Sequence, residues 1–236
     1  MSEISVARHE VQEYLHGIRH NADQFVYQLL QVLMVGLTLG MMRTVVPALA
    51  SSEFGVPKGS FMLLIAFVVA FGFVKGTLNF VAGRLSEQIG RRKVLLLGWL
   101  SALPIPFMIL WAPSWGWIVA ATVLLGVNQG FAWSMTQTSK LDITRPDQRG
   151  LTIGLNEFSG YGGVAIAGIV PGYMATAFGA RHGLLIFGLG VLAGPLVPPP
   201  VLVQETLPSA HAQCARHAAR HAPVPPTRVP ARRPAH

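Results

Sequence analysis

Three ionisable residues, Arg43, Lys75 and Glu157, lie inside long apolar runs. Lys75 lies seven residues before Ala82, the end of its apolar run, and Glu157 lies seven residues after Gly150, the start of its own. In helices, both would lie about 10 Å from the ends that face the same side of the membrane. A charge near the centre of a bilayer costs at least ~2.5 kcal/mol unless it has a partner, water or a route to the surface. The spacing predicts either a Lys75–Glu157 pair, or a snorkelling Lys75 with a protonated or separately hydrated Glu157. Arg43 either snorkels too or binds an anionic solute through its paired donors.

The patterns of common catalytic and metal sites give no second candidate. The sequence has no Ser/His pair at membrane depth, no HExxH motif and no phosphate-binding loop, so we do not expect an enzyme. A helix near the C-terminus would carry on one face side chains of types that bind zinc or copper, namely His211, Cys214, His217 and His221. Because that segment is rich in His and Arg throughout, we assign no metal and no cofactor to it.

The apolar runs are long enough to cross a membrane. The chain of 236 residues is 51% hydrophobic and 12% charged, and a spanning helix needs about 20 apolar residues. The runs predict an all-α membrane protein with six transmembrane helices, near Phe25–Leu49, Phe61–Ala82, Val94–Leu110, Gly116–Thr138, Gly150–Ala177 and Gly183–Val203. Prolines at 195 and 198–200 interrupt the sixth. We expect residues 1–24 to be a cytoplasmic segment, 25–205 the six-helix domain, and 206–236 a disordered basic tail rich in Ala, His, Arg and Pro.

Basic residues alternate between the two ends of the predicted helices. Of the 18 Lys and Arg residues, two precede the first helix, four lie between helices two and three, three between helices four and five, and five in the tail. The opposite loops contain only Lys58 and Arg181. Because Lys and Arg are retained on the cytoplasmic side, both termini are predicted to be cytoplasmic, in the plasma (inner) membrane. Topology thus accounts for the net charge of +8, and we expect a lipid bilayer but no nucleic acid as partner.

The segment GRLSEQIGRRK, residues 83–93, contains four basic residues, one acid and two glycines. Gly83 and Gly90 permit a tight reversal and close packing of the flanking helices. Glu87 lies near the first turn of helix three, where the helix dipole favours an acid and where it can pair with Arg91 or Arg92. A positive loop alone would serve as a topology anchor, whereas the ordered glycines and the acid indicate a rigid turn.

This segment resembles the signature loop between helices two and three of the major facilitator superfamily, whose pattern is Gly-x-Leu-x-Asp-(Arg/Lys)-x-Gly followed by two or three basic residues. The matching residues are Gly83, Leu85, Gly90, Arg91, Arg92 and Lys93. Glu87 stands in place of the family's Asp, and Gln88 in place of a basic residue. The loop before helix five is also similar, at Arg145, Pro146, Arg149 and Gly150. The resemblance implies that the loop is a cytoplasmic latch favouring one state of alternating access, with Glu87 and Arg91 or Arg92 as gate residues.

The same resemblance implies an N-terminal half-domain of six helices in two inverted three-helix repeats, the third helix of each being peripheral. Helices three and six have no charge within their apolar stretches, so we expect them to face lipid. The family builds its solute cavity from helices one and four, which makes Asn128, Gln129 and Trp133 cavity candidates. Interhelical hydrogen bonds are the alternative for the two amides. The Arg that many proton-coupled members carry in helix four is replaced by Gly126, so that motif does not indicate proton antiport.

The resemblance therefore implies secondary active transport of a small solute, and an anionic one if Arg43 faces the cavity. Family members have twelve helices in two halves. We expect this chain to be a truncated or frame-shifted N-terminal half, or a half-size subunit that pairs with a second half-transporter or with its own copy. A non-transporting membrane scaffold or sensor is the alternative function, with the basic tail contacting lipid headgroups or a partner.

Overall fold

The structure is a computed structural model that describes residues 16–57, 59–61, 65–196 and 203–220. All regular structure in these residues is helical, as expected for an all-α membrane protein. The elements are α1 (Ala22–Glu53), a π-helical segment (Ile65–Ala70), α2 (Phe71–Ile89), α3 (Arg91–Ala102), α4 (Ile105–Leu110), α5 (Trp115–Asn128), a π-helical turn (Gln129–Trp133), α6 (Ser134–Ile143), a 3-10 turn (Pro146–Gln148), α7 (Arg149–Phe178), α8 (Ala180–Leu196) and α9 (Leu207–Arg220).

Five stretches of helix are long and apolar enough to cross a membrane. They are Ala22–Glu53, Val68–Ile89, Arg91–Leu110, Trp115–Ile143 and Pro146–Phe178. These stretches correspond to the first five predicted spans. The sixth, predicted as Gly183–Val203, corresponds to α8, an apolar helix of 17 residues, and residues 197–202 lie outside the described part of the chain.

Two helices extend further than predicted towards the basic loops. α2 continues through Gly83, and Gly90 alone makes the reversal into α3, so the turn expected at Gly83 was wrong. The fourth span was expected to end at Thr138, before Lys140. It continues instead to Ile143, the last residue of α6, and Lys140 is completely buried. The extra turns persist because their polar side chains find partners in the interior, as Asp142 does with a buried arginine.

Glycines allow α1 and α7 to pack backbone against backbone. A Cβ atom on Gly36 would overlap the carbonyl oxygen of Gly160, and one on Gly163 would overlap the carbonyl oxygen of Leu33. Small residues at helix interfaces permit this approach, and van der Waals packing then holds spanning helices together. The α1–α7 contact fixes the position of the α7 side chains described below.

α2 and α7 are the least covered of the five long helices. Only 11% of the apolar window in Val68–Ile89 and 17% of that in Pro146–Phe178 is buried, against 44% for Arg91–Leu110. Within the described residues α3 and α4 pack against α5 and bury Trp99 and Ile109, and α8 similarly buries Leu184 and Leu192. That helices three and six face lipid stays a prediction.

The helix α9 lies where we expected a disordered tail. The side chain of Gln213 donates a 2.8 Å hydrogen bond to the carbonyl of Thr144, just beyond α6, and His16 donates one of 3.2 Å to the carbonyl of Ser209. These contacts dock α9 on the end of α6. Residues 1–15 of the predicted N-terminal segment and 221–236 of the predicted tail lie outside the described residues. Within the described ranges, no three His, Cys, Asp or Glu side chains are grouped so as to hold a metal ion.

Candidate functional site

The side chains of Lys75 and Glu157 both contact the indole ring of Trp133. The Lys75 ammonium lies over the ring, 4.7 Å from its centroid, and the indole Nε1 donates a 3.1 Å hydrogen bond to Glu157 Oε1. Lys75 and Glu157, both described by the structure, form no direct ion pair within 4.0 Å. A cation–π contact and a hydrogen bond to the same side chain thus stand in place of the predicted pair.

The position of Trp133 depends on the backbone on both sides of it. It ends the π-helical turn Gln129–Trp133, and such turns are frequent at functional sites. A Cβ atom on Gly160 would overlap the indole ring, so a glycine there lets the ring lie against α7. Tyr161 packs edge-on against the indole, with ring centroids 5.7 Å apart. Asn156 Nδ2 donates a second hydrogen bond, of 3.0 Å, to Glu157 Oε1.

The charged residues lie on an uncovered side of the bundle. We define the open face as the side marked by Arg43, Lys75, Asn79, Glu157 and Tyr161, each of which is exposed or half-buried although it lies in a candidate membrane span. The Ser134 hydroxyl donates a 2.8 Å hydrogen bond to Asn79 Oδ1. The charge of Arg43 acts on Lys75. Hydrocarbon does not tolerate such a group of charges, so this face must line water or protein.

Asn128 and Gln129, the other two predicted cavity residues, are fully buried. The Asn128 side chain donates to the carbonyl of Gly98 at 3.0 Å, and Gln129 donates to the carbonyl of Val35 at 2.8 Å. Both amides therefore bond helix α5 or its π-helical turn to neighbouring backbones. Of the three predicted cavity residues, the structure brings only Trp133 to the open face.

A second polar cluster surrounds Arg91, at the reversal between α2 and α3. Its guanidinium is buried, lies 2.7 Å from Glu87 and 3.1 Å from Asp142, and donates to the Ser86 hydroxyl. Thr206 donates a 2.8 Å hydrogen bond to the same Asp142 oxygen. We call these five residues the Arg91 cluster. It joins α2, α3, α6 and the segment before α9 through one cation.

Glu205 holds the beginning of α3 from outside the cluster. Its carboxylate accepts hydrogen bonds from the backbone N–H groups of Arg91, at 2.9 Å, and Arg92, at 3.2 Å. An anion at a helix N-terminus satisfies free N–H groups and interacts favourably with the dipole. Gly90 has φ +96° and ψ 155°, and a Cβ atom there would overlap the Glu205 carboxylate. Gly90 is thus needed both for its conformation and for this approach.

The remaining residues of the signature loop lie around this cluster. A Cβ atom on Gly83 would meet no described atom within 4 Å, and Leu85 packs half-buried against the apolar core. Arg92 is half-buried and Lys93 is exposed. The structure therefore concentrates the loop's buried polar contacts in Ser86, Gly90 and Arg91, with the exposed Glu87 pairing to Arg91 from outside.

Asp142, Glu205 and Thr206 form or adjoin the Arg91 cluster, and none of them was among the predicted site residues. One signal was available for Asp142: continuing the helical register of the fourth span past Thr138 carries Asp142 to the end of that helix, where an acid needs a partner. No local pattern pointed to Glu205, which is 114 residues from Arg91.

Replacing Gly90 by alanine is expected to lower the free energy of unfolding by about 2 kcal/mol, because the backbone conformation is one that only glycine adopts readily and the methyl group would displace Glu205. Thermal unfolding in detergent measures the loss. Gly83→Ala is the matched control, since this glycine is helical and faces open space; it should leave stability unchanged or raise it by up to about 1 kcal/mol. Equal losses in both variants would contradict the role assigned to Gly90.

A sequence model described as Major Facilitator Superfamily matches residues 29–235, a range that includes both the open face and the Arg91 cluster. No curated protein matches the chain.

Proposed function

Since the chain belongs to the Major Facilitator Superfamily, a family of membrane transporters, we propose that it takes part in the secondary transport of a small anionic solute by alternating access. In this proposal the open face forms one wall of the solute cavity, and the Arg91 cluster is a latch that stabilises one of the two states. Both termini lie in the cytoplasm, the protein being in the inner membrane.

The charge of the open face is the observation that carries this proposal. Two cations, Arg43 and Lys75, stand against one carboxylate, Glu157, within the candidate membrane spans. A guanidinium binds a carboxylate or phosphate through two parallel hydrogen bonds, and an ammonium adds a point charge. In the absence of solute, Glu157 and the π-face of Trp133 provide the negative potential near Lys75. An anionic solute would supply the further negative charge that this face lacks.

The open face also supports a second six-helix half as partner. Charged groups inside a membrane require a water-filled cavity or protein against them, and α2 and α7 are barely covered by the described residues. We propose that the chain is an N-terminal half in which the helices α1–α4 and α5–α8 are two inverted repeats. The second half would close the cavity opposite Trp133.

The Arg91 cluster has the composition of a releasable latch. A buried guanidinium bonded to two carboxylates is strong only while its partners remain in place, and removing one of them leaves an unpaired buried charge. If α6, or the segment around Thr206 that precedes α9, moved relative to α3, the bonds that Asp142 makes with Arg91 and Thr206 would break together. The cluster therefore supports two alternative arrangements better than a graded motion.

Uptake into proteoliposomes tests the proposed function. We expect the purified chain to accumulate at least one member of a panel of small radiolabelled anions (acetate, succinate, benzoate and phosphate) faster than protein-free vesicles, with unlabelled anions competing. Glucose and tetraethylammonium serve as neutral and cationic comparisons. Uptake confined to the neutral or cationic compound would overturn the anionic assignment. Absence of any uptake from vesicles in which cross-linking shows the chain paired with a second copy would overturn transport by this chain and favour the scaffold or sensor.

A further inference from the structure

Lys140 is an enclosed lysine that belongs neither to the open face nor to the Arg91 cluster. It lies in α6, has no exposed surface, and donates a 3.2 Å hydrogen bond to the backbone carbonyl of Gln28 in α1. Within the described ranges no Asp or Glu oxygen lies within 4.0 Å of it. An ammonium has three donors, and burying one with a single acceptor is costly. The position therefore calls for a further negative group.

The surroundings of Lys140 are polar and incompletely bonded. Both side-chain polar atoms of Gln28 and the Oδ1 atom of Asn156 are buried without a hydrogen-bond partner in the described structure. Gln28 lies on α1 and Asn156 on α7, and these two helices and α6 all contact one another. A carboxylate that moved into this junction would find the Lys140 ammonium and one unpartnered amide donor, Gln28 Nε2. Gln28 Oε1 and Asn156 Oδ1 are acceptors and would not bond to it.

Glu157 is the carboxylate whose charge acts on Lys140. It follows Asn156 directly on α7 and acts electrostatically on both Lys140 and Lys75. Its hydrogen bond to Trp133 places it at present on the side of Lys75. The charge of one carboxylate therefore acts on two lysines, an outer one on the open face and an inner one that is fully enclosed.

We propose that Lys140 is the inner counter-charge of Glu157, and that the carboxylate moves from Trp133 and Lys75 towards Lys140 when a solute anion occupies the open face. This step rests on the proposed anion cavity. Repulsion between the solute's charge and Glu157 drives the movement, and the Lys140 ammonium and the free Gln28 Nε2 donor receive the carboxylate. Lys140 is then a positioning residue, because it acts on the solute through Glu157. The exchange also gives α7 and α6 an attraction that exists only in the loaded state.

A double-mutant cycle tests this assignment without any solute, by removing the outer cation instead. Lys140→Met, Glu157→Gln and their combination are made in the native chain and again in Lys75→Met, and unfolding equilibrium constants are measured in detergent. In the Lys75→Met background the two changes should interact by about tenfold, which corresponds to about 1.4 kcal/mol. In the native background the interaction should be no more than about twofold. In the Lys75→Met background, a chain with Lys140→Arg in place of Lys140→Met should keep the tenfold interaction with Glu157.

The same interaction in both backgrounds would show a fixed structural pair, and no interaction in either would show that the groups never meet; each result overturns the proposal. Should Lys140→Met fail to fold, the combination with Glu157→Gln decides. Recovery of folding by the second change supports the counter-charge, and failure of both variants overturns it. Because the cycle uses no solute, it can succeed while the uptake assay fails, so the two proposals are separable.

Discussion

Replacing Lys75 by methionine is expected to lower kcat/KM for anion uptake about 100-fold, or about 2.7 kcal/mol. The variant loses a charge-assisted contact worth about 1.5–3 kcal/mol. It also leaves the open face with one cation, Arg43, against one carboxylate, Glu157, so the face loses the net positive charge that attracts the solute. Initial rates in proteoliposomes, measured with the most rapidly accumulated anion of the panel, give the ratio.

The controls separate this charge effect from a general loss of folded protein. Arg145→Gln removes a cation from its pair with Asp147, in which both side chains are exposed, and it should leave uptake within about twofold of the native rate because such pairs contribute little. Lys75→Arg keeps the charge and should retain most of the activity. Adding Glu157→Gln to Lys75→Met should recover part of the loss. If Lys75→Met transports as well as Arg145→Gln, the open face does not bind the anion.

The spanning helices and the signature loop could be predicted because their signals are local. Apolar runs of sufficient length specify helices in a bilayer, and the position of the basic residues marks the ends that lie together. The predicted pairing of Glu87 with an arginine is confirmed at Arg91, four residues along, since that spacing brings the two side chains together in the structure. Such pairings depend on a few consecutive residues and little else.

The arrangement around Trp133 could not be predicted in the same way. Depth along a helix placed Lys75 and Glu157 at one level, as a pair requires, but depth carries no information about which side chain lies between them. That depends on the π-helical turn ending at Trp133 and on the missing side chain of Gly160, which together admit an indole ring. Helical periodicity assumes a regular helix and therefore misplaces residues after such a turn.

Polar residues inside the apolar runs posed a similar ambiguity. An amide in a membrane span either faces a cavity or bonds to a neighbouring backbone, and both choices satisfy its hydrogen bonds. Asn128 takes the second course because Gly98 lets α3 pack closely against the π-helical turn, so that the Gly98 carbonyl accepts its hydrogen bond. Gln129 does so by donating to the carbonyl of Val35 on α1. Lys140 was assigned to a loop for a related reason: a lysine near the end of a span normally marks the membrane surface.

Replacing Gly36 by alanine is expected to lower the free energy of unfolding by about 3 kcal/mol, the upper end of typical overpacking costs. The added methyl group would overlap the carbonyl oxygen of Gly160, and neither backbone can move aside without separating α1 from α7. Because Trp133 lies against the same glycine, separation of these helices would also release the indole from Glu157. Thermal or denaturant unfolding in detergent measures the first effect, and a change in tryptophan emission measures the second.

Gly168→Ala, in α7, is the matched control, because Gly168 is exposed and a Cβ atom there would meet no described atom within 4 Å. It should be neutral or stabilising by up to about 1 kcal/mol, as alanine favours helix over glycine. The difference between the two variants therefore isolates the crowding at the α1–α7 contact from the helix preference of alanine. If Gly36→Ala proved as stable as Gly168→Ala, α1 and α7 would not be in backbone contact, and the placement of Trp133 between Lys75 and Glu157 would lose its structural support.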